Sequence, residues 1–256
     1  MKTHKPMTSL ILVFFLICSL SLSGCSKKNE ELTPTTAAPY IENVAHSYEH
    51  FEEDQIKSQR QFDQDMEELF QNEISGRLLD MHFMLKDPSA FGITEAQSLF
   101  GHISLEDMAI AKEEQQNLKK SLDSYDPMLL TEEQRLTMRI LQSFLKTEEK
   151  SYGLELYSQP ISVTIGVQAQ LPILLSEYIF YKKEDVDDYL KLLENIDEYY
   201  KELVDFQRKK AEAGLMMSDN TLDHVIESCE SYLLTDDNNF MVDTFNNRLD
   251  TLPDLT

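Results

Sequence analysis

From Arg60 onward, apolar residues recur along the chain at intervals of three and four. Phe62, Met66, Leu69, Phe70 and Ile74 fall on one side of an α-helix, and the stripe continues through Leu78 and Met81 toward a stop at Asp87-Pro88. Ser104 with Asp107 reads as the cap of a second helix, flanked by Ile103 and Met108 as a hydrophobic staple. Leu105, Met108, Ala111, Leu118 and Leu122 form its buried side. Thr131 with Gln134 is a further capping box, opening a helix that runs through Leu136, Ile140, Phe144 and Leu145.

The pattern breaks in "SQPISVTIGVQAQLPILLSEYIF". Pro160, Gly166 and Pro172 punctuate it, and the Ile/Val/Thr alternation between them reads as a short strand or an extended crossover. Beyond it, "KEDVDDYLKLLENIDEYYKELVDFQRKKAEAG" carries the clearest helical stripe: Val186, Tyr189, Leu190, Leu193, Ile196, Tyr200, Leu203 and Phe206. Acids crowd its first turn, Arg208, Lys209 and Lys210 its last, and Gly214 stands where the chain should turn off the helix. Helices near Leu222–Leu234 and Asn239–Leu249 follow. The expected fold is all-α: an irregular multi-helix bundle of about six or seven helices with one extended, Pro/Gly-interrupted crossover. The absence of Trp and the abundance of Leu, Glu, Lys, Met and Gln point the same way.

The first residues have a different pattern. Lys2, His4 and Lys5 precede the run Leu10–Ile17, in which every residue is apolar, and the stretch to Leu22 totals 13 residues. That is short of the ~20 needed to span a bilayer and has the form of a secretory leader. Its end, Leu22-Ser23-Gly24-Cys25, resembles a bacterial lipobox, which implies diacylglyceryl transfer to Cys25 and cleavage before it. The expected organisation is a signal peptide over 1–24, the lipidated Cys25 with a polar acidic tether over 25–57, and a helical domain over 58–256. The protein would then sit lipid-anchored at the cell membrane, facing outside the cytoplasm. Two acyl chains hold firmly, since each buried CH₂ contributes ~0.8 kcal/mol.

Charge narrows the partners. The 256 residues hold 46 acids against 23 bases, a net charge of −23, or −25 once Lys2 and Lys5 leave with the leader. Such a surface repels nucleic acid and anionic headgroups, so neither is expected as a partner; cationic substrates fit better. The seven glycines nowhere approach a phosphate-binding spacing. With Cys18 removed and Cys25 acylated, Cys229 is the remaining thiol, which excludes an internal disulfide. Its spacing from Ile226 and Leu233 places it on an apolar helix side as a buried structural cysteine.

His46-Ser47-Tyr48-Glu49-His50 fits the H-x-x-E-H pattern of inverted zinc peptidases, with both imidazoles on one helix face and Glu49 as base. Its flanks are too polar to supply the packed shell that orients metal ligands, so the stretch reads as tether or as the first turn of the helix leading into the domain. His82, His102 and His224 stand isolated and read as satisfied or surface histidines. Tyr199-Tyr200 and Met216-Met217 read as core. Glu52-Glu53-Asp54 and Asp236-Asp237 read as solvated charge. No catalytic residue and no metal ligand is assigned, and lipidation at Cys25 is the one modification expected.

The stretch Ile165–Asp219 resembles the bacterial family known as domain of unknown function 885. Members carry a Q-x-x-L-P-x-L-L-x-x-Y-x-F run, an acidic D-x-x-x-Y-L helix and a glycine followed by Ser-Asp. Here these are Gln168, Leu171, Pro172, Leu174, Leu175, Tyr178, Phe180, Asp185, Tyr189, Leu190, Gly214, Ser218 and Asp219. The opening Phe62, Asp63, Glu68, Leu69 and Phe70 is also similar, extending the resemblance over Phe62–Thr256. It implies a large helical zinc-peptidase-like protein, often an exported lipoprotein, with an H-E-x-x-P-G-H-H motif in its C-terminal half. None of the six histidines is followed by Glu. The expectation is a non-catalytic N-terminal portion, with zinc belonging to the full-length family and a peptide substrate or a C-terminal catalytic half as partner. The alternative is a complete non-enzymatic lipoprotein that binds a peptide or partner through its acidic helical surface.

Overall fold

The computed structural model describes residues 41–233 and 240–252, with side chains from residue 50 and excluding those of 232 and 233. Cys25, the leader and Asp236-Asp237 lie outside the described residues. Among those described there are nine α-helices and no strand: α1 Ile41–Ser75, α2 Leu78–Met84, α3 Leu105–Asp123, α4 Glu132–Glu148, α5 Val167–Glu177, α6 Lys183–Glu194, α7 Ile196–Glu212, α8 Asp219–Leu233 and α9 Phe240–Leu249. The all-α expectation holds, with more helices than the six or seven read from periodicity. Three of the differences have local causes. The first stripe is interrupted at Gly76-Arg77, where Arg77 turns extended (φ −139°, ψ 130°), so α2 starts afresh. The long acidic stripe is two helices meeting at Asn195 (φ −114°, ψ 7°). The Pro/Gly-interrupted crossover contains α5, in which Pro172 lies inside the helix while Gln168, Leu171 and Leu175 are buried around it. Residues 41–57, read as tether, belong to α1.

The described chain divides into two compact units, one made of 41–73 and 112–150, the other of 74–111 and 151–252. In the first, α1, the latter part of α3 and α4 enclose a core of Phe62, Leu122, Leu130, Met138, Leu141 and Leu145, with Met66, Leu69, Leu118, Tyr125 and Phe144 packed against it. Phe62 meets Tyr125 edge-on at 5.2 Å. The Tyr125 hydroxyl donates to Asp65 Oδ2 at 2.6 Å, and burial together with that carboxylate holds its proton well above the ordinary phenol range. The capping box at α4 forms as the sequence implies: Thr131 Oγ1 accepts from Gln134 N–H, and Gln134 Oε1 accepts from Thr131 N–H, both at 3.1 Å. The buried Gln134 amide then donates to Gln59 O and to Asp63 Oδ1, at 3.0 and 2.7 Å, which ties α4 to α1.

In the second unit, the first N–H groups of α2 find partners in a neighbouring loop: Leu78 donates to Ser98 O and Leu79 to Leu99 O. Ser104 caps α3 through its hydroxyl, which accepts from Asp107 N–H at 3.0 Å. Helix α9 packs on α5, α5 on α8, and α6 on α7. Gly214 (φ +71°) ends α7 with Leu215 N–H on Lys210 O at 2.8 Å, the left-handed turn expected there. Lys210, in the last turn as the sequence implies, is only 1% exposed. Its ammonium donates to the carbonyl of Ser158, and burial pushes its pKa down. Cys229 departs from expectation: it is exposed, because α8 turns Val225 inward and leaves Ile226 facing out. Partial burial and the adjacent Glu230 charge push its thiol up, away from reactivity. Met216 and Leu136 are also exposed rather than core. Among the described residues no helix is long and apolar enough to cross a membrane.

Candidate functional site

Most of the residues that carry the family resemblance lie in the second unit, while the similar opening Phe62, Asp63, Glu68, Leu69 and Phe70 lies in the first. Gln168, 3% exposed, donates from Nε2 to Ser162 O and holds the loop that leads into α5. Leu171, Leu175, Tyr178, Phe180 and Tyr189 are buried. The Tyr178 ring, wholly inaccessible, lies 5.5 Å from Tyr189 and 6.1 Å from Phe180, and Phe245 of α9 stacks on Tyr189 at 5.5 Å. Asp185 is buried at the start of α6, its Oδ2 accepting from Tyr181 N–H at 2.8 Å and Lys182 N–H at 3.0 Å. Arg248 of α9 closes the arrangement. Its Nη1 donates to Leu175 O and Tyr178 O at 2.8 and 2.6 Å, and its guanidinium lies over the rings of Phe180 and Tyr189 at 4.8 and 4.9 Å. These side chains build a cap and a core; they leave no free acid, base or nucleophile.

The outward side of this core is a different surface. His82 of α2 stacks face to face on Tyr178, with centroids 3.6 Å apart and planes 7° from parallel. Burial lowers the His82 pKa; the Asp185 charge, a hydrogen bond with the backbone of Ile179 and the Asp188 charge oppose it, and Lys182 adds to it. Burial, followed by the charges of Asp188 and Asp185, holds the Tyr178 hydroxyl above the ordinary phenol range. Around this stack Phe83, Ile179 and Tyr181 are 42, 49 and 42% exposed. The Lys86 ammonium sits 5.0 Å from the centre of the Tyr181 ring.

A polar cluster occupies another part of the same unit. Glu202 of α7 accepts from Ile103 N–H at 3.1 Å through one oxygen and stands 3.0 Å from His102 Nδ1 through the other. One turn earlier on α7, Tyr199 stacks on Phe100 at 5.1 Å. Arg77 pairs with Asp80. Burial raises the Asp80 carboxyl despite Arg77, and likewise raises the Tyr199 hydroxyl. The Arg77 side chain passes over Gly101, where a Cβ would meet its Cδ at 2.7 Å. Glu202 ties the 97–104 loop to α7, and the Ser98 and Leu99 carbonyls tie it to α2, so the cluster is a clamp.

The zinc pattern at His46 and His50 lies on α1, whose backbone places the two positions one turn apart; the His46 and Glu49 side chains are outside the described ones. His50 is exposed, with Nδ1 3.9 Å from Glu53 Oε2. His224 is exposed beside Glu227 at 3.3 Å. A zinc centre takes three or four closely grouped His, Cys or carboxylate ligands. Among the described residues no group of three or more such side chains stands together, so they do not fit a zinc centre. An open groove of about 550 Å³ along α1 is lined by Ile56, Gln59, Arg60, Asp63, Gln64 and Glu67, of which Asp63 already accepts from Gln134.

Sequence reasoning passed over Phe83, Lys86, Ile179, Tyr181 and Lys182. The one signal for them was Tyr181-Lys182-Lys183, three residues without an acid in a strongly acidic chain. In comparisons with known proteins, a family described as "Bacterial protein of unknown function (DUF885)" matches residues 88–255, which leaves the similar opening at Phe62–Phe70 outside the matched span. No curated protein and no solved structure matches the chain.

Proposed function

The chain belongs to this family of bacterial proteins of unknown function, and on that premise we propose that it is a lipid-anchored protein facing outside the cytoplasm. In this reading its helical domain is the non-catalytic, peptide-handling portion of a zinc-metallopeptidase-like protein. The anchor rests on the Leu22–Cys25 stretch and the short apolar run before it. The observation that carries the domain's role is where the family residues stand: Gln168 on a loop carbonyl, Asp185 on two backbone N–H groups, and Tyr178, Phe180 and Tyr189 in the core. Residues so engaged shape and hold a surface, and the chemistry belongs elsewhere.

Two measurements test this. In cells, Cys25→Ser should move the chain from the membrane fraction to the soluble one; continued co-sedimentation of the variant with membranes would remove the anchor from the proposal. With purified chain and added zinc, unstructured peptides should remain uncut. Zinc-dependent cleavage abolished by His46→Ala with His50→Ala would instead establish a catalytic centre in this chain.

A second reading, a non-enzymatic lipoprotein that binds a peptide or partner in its own right, draws support from the exposed Phe83–Ile179–Tyr181 face. It is favoured if the chain alone binds peptide with saturation.

A further inference from the structure

We propose that the loop leading into α5 dips its tip, Val163-Thr164-Ile165, into the interfacial layer of a zwitterionic lipid bilayer. The inference rests on the lipid-anchor reading above and adds a second, reversible contact with the same membrane.

Residues 156–176 contain no Asp, Glu, Lys or Arg, the longest such run outside the leader in a chain of which 27% is charged. The later part of the run is α5, and the earlier part is a surface loop. Ile165 is 79% exposed, Val163 and Thr164 beside it are exposed, and Tyr157 at the foot of the loop is 62% exposed. Single apolar side chains at a surface are ordinary. Two at the tip of one charge-free loop, with a tyrosine behind them, suit a boundary between water and lipid.

Most loops are kept out of lipid by their backbone, whose polar groups lose water there. In this loop the carbonyls at alternate positions already have partners within the chain. Ser158 O accepts from the Lys210 ammonium, Pro160 O from Val167 N–H at 2.8 Å, Ser162 O from Gln168 Nε2, and Thr164 O from Gln170 Nε2 at 3.2 Å. The Ile165 N–H donates to Ser162 Oγ at 3.3 Å, and Gly166 O accepts from the N–H groups of Ala169 and Gln170 at 2.9 and 3.0 Å. A tip tied in this way gives up little hydration and little backbone freedom on leaving water, and its apolar side chains gain burial.

Two carboxylates bound the run. Glu155 accepts from Gly153 N–H at 2.8 Å, and Glu177 ends α5, ~15 Å along the helix from its start. The net charge of −23 belongs to the rest of the chain, which makes a zwitterionic bilayer the better occupant than an anionic one. Reach also favours the bilayer: between the lipidated Cys25 and the start of α1, residues 26–40 span at most ~50 Å. The anchor therefore holds lipid at high local concentration, where a weak contact is enough.

The chain contains no Trp, so one introduced at the tip reports on the tip alone. The full-length chain, purified from membranes, is reconstituted in vesicles of phosphatidylcholine brominated in the acyl chains. It is compared as Val163→Trp and as Met128→Trp, an exposed position of the other unit. Emission of Val163→Trp should shift to the blue and lose intensity relative to unbrominated vesicles, while Met128→Trp should do neither. Adding Ile165→Asp to Val163→Trp should restore red, unquenched emission, because a charge at the tip is expelled from the apolar layer; thermal unfolding should be unaltered. No quenching of Val163→Trp in chains that float with the vesicles overturns the proposal, gives the tip to a protein partner and leaves the anchor reading standing. Quenching that persists with Ile165→Asp, or that is equal at Met128→Trp, overturns it as well. A chain that purifies from the soluble fraction removes the anchor reading, and quenching on added vesicles then still decides the tip.

Discussion

At the scale of single residues, burial acts against two side chains the structure nonetheless keeps. The imidazole of His82 is pressed on Tyr178, and its pKa is lowered mainly by that burial. The unfolded chain takes up a proton near pH 6.5 while the fold resists it, so the stability tied to His82 is complete above that pH. It is lost as pH falls from 6.5 toward the lowered folded value. Denaturant midpoints measured from pH 7.5 down to about pH 5 should therefore fall further for the wild type than for His82→Phe, which keeps a flat ring on Tyr178 and cannot titrate. Asp80 titrates with the opposite sign, its raised carboxyl favouring the fold as pH falls, and it is common to both proteins. The second such group is Lys210, whose buried ammonium has a neutral carbonyl as its partner. Lys210→Met removes a desolvated charge while keeping most of the volume, and Ser158, being exposed, can give its carbonyl to water. The variant should match or exceed the wild type at neutral pH, by ~1 kcal/mol. Because burial lowers the lysine's pKa, wild-type stability should gain as pH rises toward 10.5, and the methionine variant should lack that gain.

Among the elements, those that obey local rules were legible in the sequence. The Thr131/Gln134 box, the Ser104 cap and Gly214 each depend on residues within a few positions of one another, and all three appear where that chemistry requires. The break at Asn195 was hidden because the apolar stripe has the same period on both sides of it. Helix α5 was hidden for a different reason: Gly166 and Pro172 read as breakers, yet the helix starts at the first and continues through the second. Gly166 is the N-cap residue, and it is packed so closely that a Cβ would meet Gln168 Oε1 at 2.1 Å and the Ser162 backbone nitrogen at 2.2 Å. Its φ of −71° is open to any residue, so the requirement is for space alone. Gly166→Ala should cost about 2–3 kcal/mol in chemical denaturation, since the backbone of Ser162 has to move. A loss below ~0.5 kcal/mol would show the 160–166 turn to be pliant. The exposed face of Phe83, Ile179 and Tyr181 was illegible because it joins position 83 to positions 179–181, and no local period connects them.

For the molecule as a whole, composition announced the all-α class and the acidic surface, while the division into two units is a matter of packing that a linear pattern does not display. Each unit is assembled from two separated stretches that alternate along the chain: 41–73 and 112–150 make one, 74–111 and 151–252 the other. As the chain is synthesised, Phe62 emerges long before Leu141 and Leu145, the residues that complete its core, and the intervening segment belongs to the other unit. Neither unit is a contiguous piece: the first can close only when 112–150 have followed the intervening 74–111, and the second only when the stretch from 151 onward has emerged. Loop closure precedes the reward of its contacts in both, so each unit keeps apolar helix faces exposed until its second stretch arrives, and the second unit does so longest. Such a nascent chain remains open for longer, the state in which chaperones can engage it.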